Sequence, residues 1–161
     1  MRILATWLMS ILVVALPMQL MAREDWSAGY NAGGIFSEID GNGGTNLAIF
    51  CNPWIDAHPA GLLITLPTTI ADNEDKLYKI AFLFADREMT FTMLLTQGRA
   101  LQFSAKGDEK FGALEELVAR IKANDGFSAA SQELGWTDNF SSENAKLGIG
   151  DLLDCTLPNL D

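Results

Sequence analysis

Apolar and polar positions follow three different patterns along this chain. The first is a run. Ile3 to Leu16 is apolar apart from Thr6 and Ser10, Pro17 interrupts it, and Ala22 precedes the polar Arg23-Glu24-Asp25. With Arg2 ahead of it, the order of charge, short apolar core, breaker and small residue predicts a secretory signal over residues 1–22. Residues 23–161 then form one exported domain. Leu20 stands where signal peptidase prefers a small residue, which leaves the exact cut site open, and Ile3 to Ala22 is long enough to span a bilayer, which makes an uncleaved anchor the alternative. Both readings keep Arg2 inside and carry Glu24 and Asp25 out. No cysteine directly follows the run, which argues against a lipid anchor.

The second pattern is a series of short apolar segments separated by turn residues. Trp26 to Gly34 reads as an irregular lead-in. Ile35 to Ile39 and Thr45 to Cys51 are strands joined by Asp40-Gly41-Asn42-Gly43-Gly44, residues that favour a hairpin turn. Gly61 to Leu66 is a strand stopped by Pro67, and Thr68 to Lys76 is a long polar connection. Leu77 to Ala85 is so continuously apolar that burial on both faces is expected. Met89 to Thr96 and Ala100 to Ala105 follow after three-residue turns, so these three strands form an antiparallel meander.

The third pattern has a helical period. Phe111, Leu114, Leu117, Val118 and Ile121 recur on one face, predicting a helix over 109–123 with Asp108 as N-cap. Asn124-Asp125-Gly126 ends it. Phe127 to Leu134 fits either a strand or a loose helix. Ser141 or Ser142 caps a final helix running to Cys155, weakened by Gly148 and Gly150 at roughly 1 kcal/mol each. The expected fold is α+β: an antiparallel β-meander sheet of about five or six strands, with one firm amphipathic helix and a weaker C-terminal helix packed on it.

Charge and cysteines sharpen this picture. The chain carries 11 basic and 21 acidic residues, a net charge of −10. Residues 1–22 contain Arg2 and no acid, so their removal takes the charge from −10 to −11. Such acidity disfavours nucleic acid and anionic membrane as partners, both of which need clustered Lys and Arg. Cys51 and Cys155 are the two cysteines, and in an oxidising compartment they are expected to form a disulfide. Closing a loop of about 100 residues contributes at most ~4.7 kcal/mol on the chain-entropy model. The competing reading, a catalytic thiol at Cys51 with His58 as its base, lacks an orienting partner.

Candidate chemistry is sparse. Asp40 to Gly44 resembles the opening of a calcium loop, but its twelfth position is Cys51, where a bidentate glutamate belongs. Asp72-Asn73-Glu74-Asp75 and Asp86-Arg87-Glu88 are acidic clusters in expected loops. His58 is the sole histidine, which rules out a histidine-based metal centre, and no Gly-x-Ser-x-Gly elbow or glycine-rich phosphate loop occurs. No cofactor and no metal are expected. Asn139-Phe140-Ser141 is a sequon that matters in a eukaryotic secretory pathway alone. The loop from Asn52 to Pro59 is richer, holding Trp54, Asp56 and His58 between two prolines beside Cys51. These three are the candidate binding residues, because a rigid aromatic loop makes a good contact anchor. The alternative is that Trp54 folds back as a core plug. The function expected is a non-catalytic periplasmic or secreted protein that binds a protein partner, such as an inhibitor, accessory or secretion-associated factor. An exported hydrolase using paired carboxylates and a structural envelope subunit are the alternatives.

Overall fold

Alternating burial along successive short segments builds nine strands among the described residues. The computed structural model describes residues 25–31, 34–54, 60–70 and 75–155. The expected signal over 1–22 lies outside them, as do Asp56, His58, Asp72, Asn73 and Glu74. The strands are β1 (Ser27–Asn31), β2 (Gly34–Asp40), β3 (Asn46–Cys51), β4 (Ala60–Thr65), β5 (Leu77–Leu83), β6 (Glu88–Thr96), β7 (Ala100–Ser104), β8 (Gly126–Ser131) and β9 (Trp136–Ser141). Helix α1 (Asp108–Ala123) separates β7 from β8, and α2 (Ala145–Ile149) and a 3₁₀ turn (Leu152–Asp154) end the described chain. All strands join one antiparallel sheet in the order β1-β2-β3-β4-β7-β6-β5-β8-β9.

The α+β class, the antiparallel sheet, the meander β5-β6-β7 and the two helices match the expectation. The strand number does not: the sheet has nine strands rather than five or six. Part of the difference is local. The lead-in at Trp26 to Gly34 contains β1, whose Gly29 sits opposite Phe36, and that ring occupies the space a Cβ would need. The ambiguous segment after Gly126 is β8, and Trp136–Ser141, read as no element, pairs with it along six residues. β5 is also not buried on both faces. Tyr78, Ile80 and Phe82 point inward while Leu77 is 58% and Leu83 38% exposed, so leucines on the solvent face had masked the period of two.

The sheet does not lie flat. β7 pairs along its length with β4, and β6 along most of its length with β5, yet β6 and β7 pair with each other only from Leu94–Thr96 to Ala100–Gln102. Beyond that point the β6–β7 ladder is broken, and side chains from both halves enter one core. Phe91 and Phe103 bridge the split edge to face at 5.0 Å, and the contacts continue through Phe82 and Phe127 to Phe140 on β9. Each such pair adds about 0.5–1.5 kcal/mol beyond the area it buries. Helix α1 turns Leu114, Leu117, Val118 and Ile121 into this core. Gly107, with φ 84°, is its N-cap in place of the expected Asp108, which begins the helix proper. Arg120 then ties the helix to the β5–β6 turn, contacting both Asp86 carboxylate oxygens (3.0 and 3.2 Å) and Glu116, which also holds Arg87 at 2.8 Å.

The last strand closes onto the β2–β3 turn through a buried carboxylate. Asp138 on β9 is 3% exposed and pairs with Ala129 of β8. Its Oδ1 accepts the Gly43 N–H at 2.7 Å and its own neighbour's Asn139 N–H at 2.8 Å, while Oδ2 accepts the Thr45 N–H at 3.1 Å. The Asn42 N–H reaches Asn139 O at 3.0 Å, and the Trp136 indole donates to Thr45 Oγ1 at 3.1 Å. Glycine is required here for space: a Cβ on Gly41 would sit 2.7 Å from the Asp138 carboxyl carbon and 2.9 Å from the Phe140 ring.

The C-terminal helix is shorter than its apolar spacing suggests. α2 stops after five residues at Gly150, whose φ of 49° breaks the helical backbone, and a separate 3₁₀ turn carries the chain to Cys155. It begins at Asn144 in the left-handed region, not at a serine cap. Gly148 lets α2 lie directly on the Trp26 backbone, and the buried Trp26 indole donates to Ser141 O at 3.1 Å.

Candidate contact surface at the disulfide end

β3 ends, and β2 and β4 begin, at one end of the sheet, where Cys51 faces Ile35 on one side and Ala60 on the other. Cys51 is fully buried and bonded to Cys155, which caps the 3₁₀ turn 104 residues later, with a Cα–Cα distance of 5.5 Å. The expected disulfide is therefore present, and it is consistent with an oxidising compartment. Because the sulfur is committed to this bond, Cys51 is not a nucleophile beside His58.

Three residues beyond Cys51, Trp54 is 68% exposed. Its backbone N–H donates to Asn52 Oδ1 at 3.1 Å, which closes the turn through the Asn52 side chain. The indole does not plug the interior. Asp56 and His58, the other two candidates in this loop, fall outside the described residues.

Two further apolar side chains crowd the same end, and neither was singled out from the sequence. Tyr30, 62% exposed, lies on β1 opposite Ile35, which itself sits opposite Cys51. Leu147, 83% exposed, stands on α2. Between α2 and the β1–β2 ladder runs a groove of about 360 Å³ lined by Ala28, Ile35 and the segment Leu147–Leu152. A signal for Leu147 was available: it falls off the stripe of Ala145, Ile149 and Leu152, so it is a large apolar residue on a face expected to be polar. Tyr30 gave none, because β1 itself was not recognised.

The other motifs resolve into structural roles. The turn at Asp40–Gly44 is a hairpin whose amides donate to Asp138, and Asp40 Oδ1 accepts from Asn46 Nδ2 at 2.9 Å. Among the described residues no three acidic, cysteine or histidine side chains gather as a metal site. In the Asp86-Arg87-Glu88 cluster, the hydrogen bond from Arg120 holds the Asp86 carboxyl below its ordinary range, outweighing desolvation, and the same bond raises the Arg120 guanidinium. Such a carboxylate stays charged, which is the opposite of what a general acid requires. Among the described residues no helix is long and apolar enough to cross a membrane. Set against known proteins, the chain matches no family model, no curated protein and no solved structure.

Proposed function

We propose that this chain is a non-catalytic exported protein that binds a protein partner, with Trp54 at the centre of the contact. The observation that carries the reading is the grouping of exposed apolar side chains. Of the five large hydrophobic residues exposed among the described residues, Tyr30, Trp54 and Leu147 belong to the disulfide-bonded end. Solvent-facing aromatics on a braced surface are the usual anchors of protein interfaces, because they bury much area while losing few rotamers. The net charge of −10 selects a partner that is basic around the contact.

Affinity capture from the native extract, run with the natural protein and the Trp54→Ala variant side by side, tests this. One stoichiometric protein retained by the first and lost by the second supports the proposal. Retention that ignores residue 54, or no retained protein at all, refutes it.

A further inference from the structure

The two outer strands of the sheet are treated differently. β9 spends its outer edge on closure: Asn139 O accepts the Asn42 N–H and Ser141 O accepts the Trp26 indole. β1 is left open. Among the described residues it pairs with β2 alone, so every second backbone N–H and C=O along Ser27–Asn31 points away from the sheet. Its sequence, SAGYN, contains no lysine, proline or other charge of the kind that normally blocks such an edge.

The groove described above runs beside this open edge. By register, Ala28 and Tyr30 share the face of Ile35 and Ser37, which is the face that meets α2. A strand added to β1 would place alternate side chains on that face, into the 360 Å³ space between Ala28, Ile35, Leu147 and Leu152. Asp151 stands on the same wall and is exposed. Open ladder, adjoining apolar groove and acidic wall together form the arrangement used for recognition of extended peptides by strand addition.

We infer that β1 is a docking edge for an extended segment of the partner, in which apolar residues at alternate positions are flanked by lysine or arginine. This rests on the binding function proposed above and specifies how the partner is held. A second copy of this chain is a poor occupant. Each copy carries ten net negative charges, and β1 offers no basic residue to offset them.

The test uses the full protein and end-blocked nonapeptides in which valine alternates with varied residues between lysine pairs. Fluorescence anisotropy should show saturable binding. The same peptides N-methylated at alternate backbone nitrogens, which keep charge and side chains but cannot extend a ladder, should bind at least tenfold more weakly. Ala28→Lys, which adds a blocking charge to an already exposed position, should weaken binding by a similar factor. Leu147→Ser should weaken it severalfold, and Leu83→Ser on the opposite half should leave it unchanged. Amide exchange should slow along β1 on peptide addition. Equal binding of the N-methylated peptides overturns the docking edge, as does a peptide-independent dimer formed through β1. If the captured partner depends on Trp54 but not on Ala28, strand addition fails while the proposed function stands. If no partner is captured, the proposed function fails as well.

Discussion

Asp138→Asn replaces a single carboxylate oxygen with an NH₂ group at the point where the sheet closes. The geometry decides which contact suffers. Oδ1 receives two N–H groups, from Gly43 and Asn139, at 2.7 and 2.8 Å, and Oδ2 receives one, from Thr45, at 3.1 Å. An asparagine keeps the two shorter bonds by leaving its oxygen at Oδ1, which turns its NH₂ toward the Thr45 N–H. Thr45 is fully buried, so that N–H has no water to turn to. Loss of a hydrogen bond to a charged acceptor costs about 1.5–3 kcal/mol, and an orphaned buried donor about 1–3 kcal/mol. These terms overlap, and a total of about 2–4 kcal/mol is expected. With a urea m-value of about 2 kcal/mol/M, the unfolding midpoint should fall by roughly 1–2 M.

Hydrogen exchange locates the damage. The Thr45 amide should lose protection before the global unfolding limit, while core amides of β6 should keep theirs relative to the new stability. Gly41→Ala supplies an independent view of the same contact, because its Cβ would meet the Asp138 carboxyl carbon at 2.7 Å. In a double-mutant cycle Gly41→Ala and Asp138→Ala should therefore be less than additive. A loss under about 0.5 kcal/mol with unchanged Thr45 exchange would refute the claim that this carboxylate holds the sheet closed.

The remaining predictions address other links. Cys51→Ala/Cys155→Ala, measured by chemical denaturation under oxidising conditions, should cost about 3–4.5 kcal/mol, since the loop of 104 residues is long; an unchanged midpoint contradicts it. Ser37 and its hydroxyl are fully buried, and that hydroxyl has no hydrogen-bond partner among the described residues. Ser37→Ala should therefore leave stability unchanged or raise it by up to about 1 kcal/mol, and a clear loss would show an unseen partner. Asp86 has its pKa depressed by Arg120, so its contribution is present above the ordinary carboxylate pKa and is lost as pH falls through the lower folded value. The stability gap between natural protein and Asp86→Asn should thus be small at neutral pH and vanish in strong acid. A gap that widens on acidification reverses the sign and sinks the assignment.

Local periodicity carried much of the fold. The α1 stripe of Leu114, Leu117, Val118 and Ile121 is buried as its spacing implies, and the β5-β6-β7 meander follows from its short turns, four residues between β5 and β6 and three between β6 and β7. What stayed hidden depends on distant partners. β1 has a glycine at its centre and few β-formers, and it is a strand because Phe36 covers Gly29 from across the ladder. β9 contains Asp138 and Asn139, residues depleted in strands. It is stable because Asp138 finds three N–H donors, two of them more than 90 residues away. The candidate surface was partly legible for the same reason. Trp54 is marked by its own loop, whereas Tyr30 and Leu147 reach that end through pairings no local pattern encodes.

The brevity of α2 bears on binding as well as on folding. A five-residue helix has no stability of its own, so something outside it must hold it in place. Three contacts do so: Gly148 packs on the Trp26 backbone, Lys122 Nζ donates to Gly150 O at 2.5 Å, and the disulfide anchors the chain five residues after Gly150. The backbone that carries Leu147 and forms one wall of the groove is therefore held before any partner arrives. A groove already ordered spares the partner the entropy of ordering it, which for each rotamer-rich side chain amounts to about 0.5–1.5 kcal/mol. It follows that reducing the disulfide should weaken binding of the lysine-flanked peptides even under conditions in which the sheet stays folded. The bond lies at one end of the core but directly beneath the contact surface.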